Sequence, residues 1–180
     1  MRADAQRNYD AIVQAAAQEI DRVGAGASLE DIARSAGVGS ATLHRRFRTR
    51  RELLLAVFAD RIEQICAQAP ALSSSMPPGD ALRAWLTELA RFSASTRGVA
   101  DALIADGEPR PTTSSCEAML LATATTLRDD AVRTGAVAPS VSPLDLLALV
   151  NSISLGSRTA ADPAGNATRL LTLALHGIER

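Results

Sequence analysis

Two short helical patterns meet within a few residues of Gly37, and this junction constrains the fold of the chain more than any other feature. The first pattern starts after Ser28, a residue type that caps helices, and has two acidic residues in its first turn, where the helix dipole favours them. It ends near Ser35, and glycine permits the tight turn that follows. The second pattern covers about Ser40 to Phe47. The chain must therefore place two short helices close together, at the spacing of a helix-turn-helix.

The rest of the chain also follows a helical period. Apolar residues recur every three or four positions, and no strand-like alternation of useful length occurs. We therefore predict an all-α protein of about nine helices. Residues 70–79, rich in proline, serine and glycine, are predicted to be a linker, and a short helix is predicted to end near residue 105.

Composition excludes several classes of protein. No apolar run reaches the roughly 18 residues that a membrane helix needs, and the charged first ten residues are unlike a secretory signal. Cys66 and Cys116 are too few and too far apart for a disulfide framework or a zinc site. With only His44 and His176 in addition, a multi-ligand metal site is nearly excluded. We expect a soluble cytoplasmic protein without metal or cofactor.

Positive charge is concentrated in the N-terminal third. Residues 1–61 contain 10 arginines against 8 acidic residues, whereas residues 62–180 contain 9 arginines against 12 acidic residues. Five arginines stand between Arg45 and Arg51, beside His44. A block of this kind is usually a solvated face, and otherwise it contacts a polyanion.

The residue types around the junction favour the second interpretation. Ala33 is small where the two helices cross, and an apolar residue type stands at each position of the shared core, namely Ile32, Val38 and Leu43. In a helix-turn-helix the second helix enters the DNA major groove, with its N-terminal residues nearest the base edges. That helix exposes five polar residues: Ser40, Thr42, His44, Arg45 and Arg46.

These residues resemble the DNA-binding region of the TetR family of bacterial repressors. The resemblance covers about Arg7 to Asp60, and it rests on the pattern Ile32-Ala33-x-x-x-Gly37-Val38-x-x-x-Thr42-Leu43-His44-x-x-Phe47-x-Thr49-Arg50-x-x-Leu53. It implies an all-helical homodimer, a palindromic double-stranded DNA operator and a small-molecule effector. We accordingly assign residues 1–48 to a helix-turn-helix DNA-binding domain and residues 49–180 to a helical effector-binding and dimerisation domain.

Two residues depart from the family pattern. His44 stands where the family usually has a tyrosine that contacts phosphate, and a histidine can still donate a hydrogen bond there. Gly39 stands where the family usually has a capping serine. Either Ser40 takes over this cap, or Gly39 serves with little loss.

The predicted DNA-binding residues have different roles. Thr42 and Ser40 are candidates for base-edge contacts, although Ser40 is as readily a helix cap. Arg45 either reads guanine or binds phosphate. Arg50 resembles the basic residue of the family that holds the phosphate backbone at a helix N-terminus. The full set is Ser28, Ser40, Thr42, His44, Arg45, Arg46, Thr49 and Arg50.

The effector pocket is implied by the resemblance, which places it between helices of the C-terminal domain. Ligand pockets are mostly apolar with few polar groups. The apolar stripes of two helices, from Leu82 to Phe92 and from Ser114 to about Thr134, are more often core than pocket, but they offer lining candidates. These are Trp85, Phe92, Met119, Leu120 and Thr123.

The last two helices are apolar on more than one face, so each is expected to be buried on more than one side. One side meets its own domain and the other needs a partner, which predicts a two-fold four-helix interface. An internal core contact is the alternative. The predicted interface residues are Leu149, Ser152, Ile153, Gly156, Leu170 and Leu173.

Two other functions compete with a ligand-responsive repressor. An enzyme is disfavoured because no Ser/His/Asp or Cys/His arrangement can be identified, and His44 stands among arginines. A sequence-indifferent nucleic-acid binder is disfavoured because aromatic stacking platforms and a high net charge are absent.

Overall fold

A computed structural model of the protein describes residues 2–24, 26–95 and 114–177, and every regular element in these ranges is an α-helix. The all-α class is thus confirmed. The helices are α1 (Arg2–Val23), α2 (Leu29–Ser35), α3 (Ser40–Arg46), α4 (Arg50–Ala67), α5 (Ala69–Ser75), α6 (Pro78–Ser95), α7 (Ser114–Arg133), α8 (Pro143–Ser157) and α9 (Pro163–His176).

The predicted linker over residues 70–79 is wrong, because all but two of these residues are helical. Helix α5 lies there, with Pro70 in its first turn. Proline is tolerated at this position because the first N–H groups of a helix have no partner inside it. Met76 and Pro77 then separate α5 from α6. The expected short helix ending near residue 105 lies outside the described residues.

The chain divides into two compact units, one ending at Arg61 and the other beginning at Ile62, so the division falls inside α4. The boundary predicted from the sequence, between residues 48 and 49, precedes α4. It separates two predicted functions, DNA binding and effector binding, and it stays a prediction. None of the helices in the described parts of the chain is both long and apolar enough to span a membrane.

The core of the first unit comes from α1, α2, α3 and the first half of α4. One face of α1 is buried against the two short helices, and Leu53, Leu54 and Val57 of α4 complete the cluster. The central members are fully buried, so they fix the position of α3 through packing. They include Ile12, Val13, Ala16, Ile32, Ala33, Leu43 and Phe47.

Helix α6 is the centre of the second unit, where it packs against α5, α7, α8 and α9. Eight of its 18 residues are buried, among them Trp85, whose indole N–H donates to the Ile65 carbonyl at 3.1 Å. Buried Ser154 of α8 donates to the carbonyls of Val150 and Ala90. Within the described ranges, no buried side-chain polar atom lacks a hydrogen bond.

Side chains cap three helix starts, one of them at Ser28 as expected. The Ser28 hydroxyl accepts from the backbone N–H of Asp31 at 3.3 Å. Ser142 and Asp145 form a reciprocal capping box on α8, and the Asp162 carboxylate accepts from the N–H of Gly165 at 2.9 Å. Each bond satisfies a donor that the helix itself leaves free.

Candidate nucleic-acid interface

The turn between α2 and α3 is fixed by backbone hydrogen bonds and by one glycine. Gly37 has φ +67°, in the left-handed region that favours glycine. The N–H of Gly37 donates to the Arg34 carbonyl at 3.1 Å, and the N–H of Val38 donates to the Ala33 carbonyl at 3.0 Å. Below the turn, Ile32, Ala33 and Leu43 are at most 3% exposed, as the sequence predicted. Helix α3 is therefore held rigidly against α2.

The N-terminus of α3 is capped by Gly39, which settles the alternative left open by the sequence. Gly39 has extended backbone, and its carbonyl accepts from the N–H of Thr42 at 2.8 Å. No side chain caps this end, and Ser40 is the first residue of the helix. Since the Ser40 hydroxyl is not the cap, it is left exposed at the first turn of α3.

The outward face of α3 is polar and carries no acidic side chain. Ser40, His44, Arg45 and Arg46 are exposed, and Thr42 is half-buried. The Arg45 guanidinium donates to the Thr42 hydroxyl at 3.3 Å, so the two side chains lie together on this face. Hydroxyl and guanidinium groups donate hydrogen bonds, and the acceptor atoms of base edges and phosphates receive them.

Arg46 has a structural contact that the sequence did not predict. Its guanidinium lies 4.7 Å from the centroid of the Tyr9 ring, and that ring stacks on Phe47 at 5.4 Å between centroids. A cation–π contact of this kind restricts the arginine to one side of the helix. The aromatic residue types were visible in the sequence, but nothing in their spacing indicated that α1 brings Tyr9 onto Phe47.

Arg50, predicted to hold the DNA backbone, lies at the first residue of α4 and is half-buried. Its guanidinium donates to the carbonyl of Ala27, which directly precedes the cap residue Ser28. The arginine therefore joins the start of α4 to the loop before α2. An anion at this helix N-terminus would lie beside the guanidinium, where the helix dipole also favours negative charge.

Thr49 caps α4 by accepting from the backbone N–H of Glu52 at 3.1 Å. The Glu52 carboxylate accepts from the backbone N–H of Arg48 at 2.8 Å. Thr49 and Glu52 thus act at the start of α4 as a capping box does. The carboxylate, however, bonds the N–H of Arg48, one residue before the cap residue Thr49.

An acidic residue lies next to this surface. The pKa of the Glu30 carboxyl is lowered first by a hydrogen bond from its own backbone N–H, then by the Ser28 hydroxyl and least by nearby His44. The Ser28 hydroxyl donates to this carboxylate at 2.9 Å while it caps α2, so its own proton is used inside the protein. This carboxylate therefore places a negative charge close to His44.

The five predicted pocket residues lie on α6 and α7, which pack together. Trp85 and Phe92 are buried, whereas Met119, Leu120 and Thr123 are half-buried. The Thr123 hydroxyl donates to the Met119 carbonyl at 2.9 Å. Thr123 also lies beside Cys66, whose thiol pKa is raised by burial and lowered less strongly by a hydrogen bond with Thr123.

The predicted dimer residues are exposed or half-buried. Ser152, Gly156 and Leu173 are exposed, and Leu149, Ile153 and Leu170 are half-buried. Two further large apolar residues of α8 are exposed, Leu144 by 63% and Leu155 by 49%. Within the described ranges, no three His, Cys, Asp or Glu side chains are placed to hold a metal ion.

Comparison with known proteins identifies the family. Residues 12–57 match the family described as bacterial regulatory proteins of the tetR family, and residues 77–180 match the C-terminal domain described as transcriptional regulator SbtR-like. No curated protein matched the chain.

Solved structures agree with this match. A TetR transcriptional regulator from Streptomyces coelicolor is 34% identical, with 94% of this chain and 97% of that one covered and a TM-score of 0.75. A TetR regulatory protein from Mycobacterium vanbaalenii is 30% identical, with 99% of both chains covered and a TM-score of 0.74. The family consists of transcription factors that are not enzymes. The chain therefore belongs to the TetR family of bacterial transcriptional regulators.

Proposed function

We propose that this DNA-binding regulator is a homodimeric repressor that occupies a palindromic operator and leaves it when a small molecule binds the C-terminal unit. The observation that carries the proposal is the acid-free polar face of α3, which is held by a buried core and a tight turn. A rigid helix presents its side chains to a groove with little loss of conformational entropy on binding.

The roles on DNA follow from position. Ser40 and Thr42 stand in the first turn of α3, where a recognition helix comes closest to base edges. Arg45, held by Thr42, either reads guanine or binds phosphate. His44 and Arg46 contact the backbone beside α3. Arg50 and Thr49 contact phosphate at the start of α4. Ser28 does so at the start of α2, where its hydroxyl exchanges the Glu30 carboxylate for a phosphate oxygen.

The dimer is proposed to form through α8 and α9. Leu144, Leu155 and Leu173 are each at least 44% exposed on these helices. Apolar residues exposed on neighbouring helices indicate a partner surface. Exposed Ser152 and Gly156 are small and four residues apart, so a second copy can approach closely there. The other predicted interface residues, Leu149, Ile153 and Leu170, are half-buried.

The effector is proposed to act by shifting the population between two dimer arrangements, of which only one spans two successive major grooves. Such a shift requires that the effector bind the two arrangements with different affinity. Trp85, Phe92, Met119, Leu120 and Thr123 remain the proposed pocket residues. The partly exposed Met119, Leu120 and Thr123 are the ones a ligand can reach without unfolding α6.

Variants of Thr42 and Arg51 test the readout by α3. Thr42→Ala removes a predicted base contact and the anchor of Arg45, so the affinity ratio between a selected duplex and its shuffled sequence should fall roughly tenfold. Arg51→Ala, on α4, should weaken both duplexes by a similar factor. Fluorescence anisotropy at fixed salt gives both dissociation constants. Equal weakening of the two duplexes by Thr42→Ala would refute base reading by Thr42.

A further inference from the structure

A cavity of about 410 Å³ lies at one end of the second unit. Its walls are the first turns of α6, the loop between α7 and α8, the start of α8 and the end of α9. The volume is within the range of small-molecule sites, which hold roughly 300–1,000 Å³. None of the five proposed effector-pocket residues is among its lining residues, so it is a separate site.

The cavity combines an apolar wall with one cationic corner. Leu82, Leu86, Val141 and Leu146 are among its apolar lining residues. Among the described residues that line it, the basic side chains are those of Arg83 and His176, and none is acidic. A site of this composition is complementary to a molecule with an apolar body and one acceptor group.

The hydrogen bonds of His176 show which of its ring nitrogens accepts from the Arg83 guanidinium. Nδ1 of His176 lies 2.9 Å from the Thr172 carbonyl, which only accepts, so Nδ1 carries the proton. Nε2 is then an acceptor, and it lies 3.4 Å from the Arg83 guanidinium. A neutral acceptor at this distance makes a weak hydrogen bond. A carboxylate is a stronger acceptor for a guanidinium, particularly when it accepts two N–H groups.

Arg83 has a second partner, Asp80, one turn earlier on α6. Both side chains of this ion pair are at least 42% exposed, and Asp80 is not a lining residue of the cavity. An exposed pair of this kind contributes little because water screens it. The guanidinium therefore keeps N–H donors for a ligand in the cavity.

The wall formed by the loop between α7 and α8 is rigid. The N–H of Ala136 donates to the Ala131 carbonyl at 2.9 Å, after Gly135 has reversed the chain at φ +75°. The Arg128 side chain donates to the Val141 carbonyl at 2.8 Å, which holds the far end of the loop. A Cβ at Gly79 would lie 2.8 Å from the Cβ of Ala136, so α6 approaches the loop closely. The cavity thus exists before any ligand binds, which lowers the entropic cost of binding.

We propose that this cavity binds a small carboxylic acid with an apolar chain, whose carboxylate replaces His176 Nε2 as the acceptor of the Arg83 guanidinium. The chain of the acid lies along the apolar wall formed by Leu82, Leu86 and Val141. The site belongs to the second unit alone, so the proposal does not rest on the repressor function, although one lining residue, Leu149, is shared with the proposed dimer interface.

Isothermal titration calorimetry of the full-length protein with octanoate tests the proposal at neutral pH. Octanoate should bind at one site per chain, and octylammonium, with the opposite charge, should bind at least tenfold more weakly. Arg83→Gln should weaken octanoate binding by about tenfold or more, since a charge-assisted hydrogen bond is lost. Arg91→Gln is the matched control, because Arg91 lies on the same helix and pairs with Glu88 three residues earlier. It should leave octanoate binding unchanged.

A second variant distinguishes the cavity from other apolar surfaces. Ala138 is an exposed lining residue, so Ala138→Phe fills the cavity from outside without disturbing the core. It should abolish octanoate binding at an unchanged melting temperature, and in the wild type octanoate should shift the amide NMR signals of Ala136 and Ala138. The proposal is overturned if octanoate does not bind, if octylammonium binds as tightly, or if either Arg83→Gln or Ala138→Phe binds octanoate like the wild type.

Discussion

Arg50 combines a contact inside the protein with a position on the proposed DNA surface. Its guanidinium donates to the Ala27 carbonyl, and it is the first residue of α4, where the helix dipole favours an anion. The side chain that fixes the loop before α2 is therefore the one proposed to meet phosphate. The effect of Arg50 on stability is measured by denaturation and its effect on DNA binding by titration with DNA, so the two can be separated.

Arg50→Ala should lower the free energy of unfolding by about 1 kcal/mol, since the Ala27 carbonyl loses its donor. It should also weaken binding to all duplexes alike and reduce the slope of log K against log salt by about one unit. Chemical denaturation and salt-dependent anisotropy give the two quantities. Arg48→Ala, whose side chain is exposed, is the control for stability. An unchanged salt slope in Arg50→Ala would remove the proposed phosphate contact.

For single residues, the sequence predicted which side chains are buried better than it predicted which polar groups bond to each other. Ile32 and Leu43 were assigned to the core from their positions around the turn, and each is 1% exposed. The acceptor of Arg50 lies 23 residues away on another loop, and nothing in the sequence indicates it. Hydrogen bonds between distant segments depend on the fold, whereas burial follows from local period.

At the scale of elements, substitutions at Gly37 and Gly39 of the helix-turn-helix should change the free energy of unfolding in opposite directions. Gly37 has φ +67°, and a Cβ added there would meet open space, so Gly37→Ala introduces backbone strain rather than a clash. We expect a loss of about 1 kcal/mol in the free energy of unfolding, and a smaller loss for Gly37→Asn. Gly39→Ser supplies the side-chain cap that α3 lacks, so stability should rise by a few tenths of a kcal/mol. Urea denaturation measures all three, and equal effects at both positions would contradict this account.

The capping box of α8 predicts a dependence of stability on pH. The pKa of the Asp145 carboxyl is lowered, first by the Ser142 hydroxyl and then by the Ser142 backbone N–H. The folded state favours the Asp145 carboxylate. Its contribution to the free energy of unfolding is therefore full above the ordinary pKa of aspartate, and it is lost as the pH falls through the lowered pKa of the folded state.

Asp145→Ala should therefore be less stable than the wild type at neutral pH, and the difference should shrink in acid. Thermal melts from neutral to strongly acidic pH measure it, and Ser142→Ala should show the same convergence. A difference between Asp145→Ala and the wild type that stays constant over the whole range would rule out this origin.

Most helices were predictable, and the exception has a physical reason. Segments with a clear apolar stripe, such as α6, or with a cap, such as α8, have such a signal in the sequence. Helix α5 contains Pro70 and three serines within seven residues, which are typical of a linker. It forms because the proline falls in its first turn and because Ala69 is buried against the rest of the unit.

At the scale of the whole molecule, the exposed leucines of α8 and α9 predict that the protein works as a dimer. Leu173→Glu places a charge in the proposed interface and should give monomers that bind operator DNA at least tenfold more weakly. Leu121→Glu is the matched control, because Leu121 is an exposed leucine of α7 outside the proposed interface. Sedimentation velocity and anisotropy measure both properties. A Leu173→Glu protein that remains a dimer would reject the interface.

The helix-turn-helix was visible from the sequence, but the cavity near Arg83 was not. The arginine block and the helix-turn-helix spacing both lie within a short stretch, so their meaning can be inferred locally. The cavity is built from four segments between residues 79 and 176, and each of them alone resembles ordinary core or loop. Only the packing of α6, α8 and α9 brings Arg83 and His176 together.

Selection of binding sites from random duplex DNA, with the purified protein at physiological salt, tests whether the protein is a dimeric regulator that reads DNA sequence. We expect enrichment of a palindrome whose half-sites are separated by about one helical turn or more. Failure to enrich any sequence, together with binding that disappears at modest salt, would show attraction to phosphate alone and would contradict the claim.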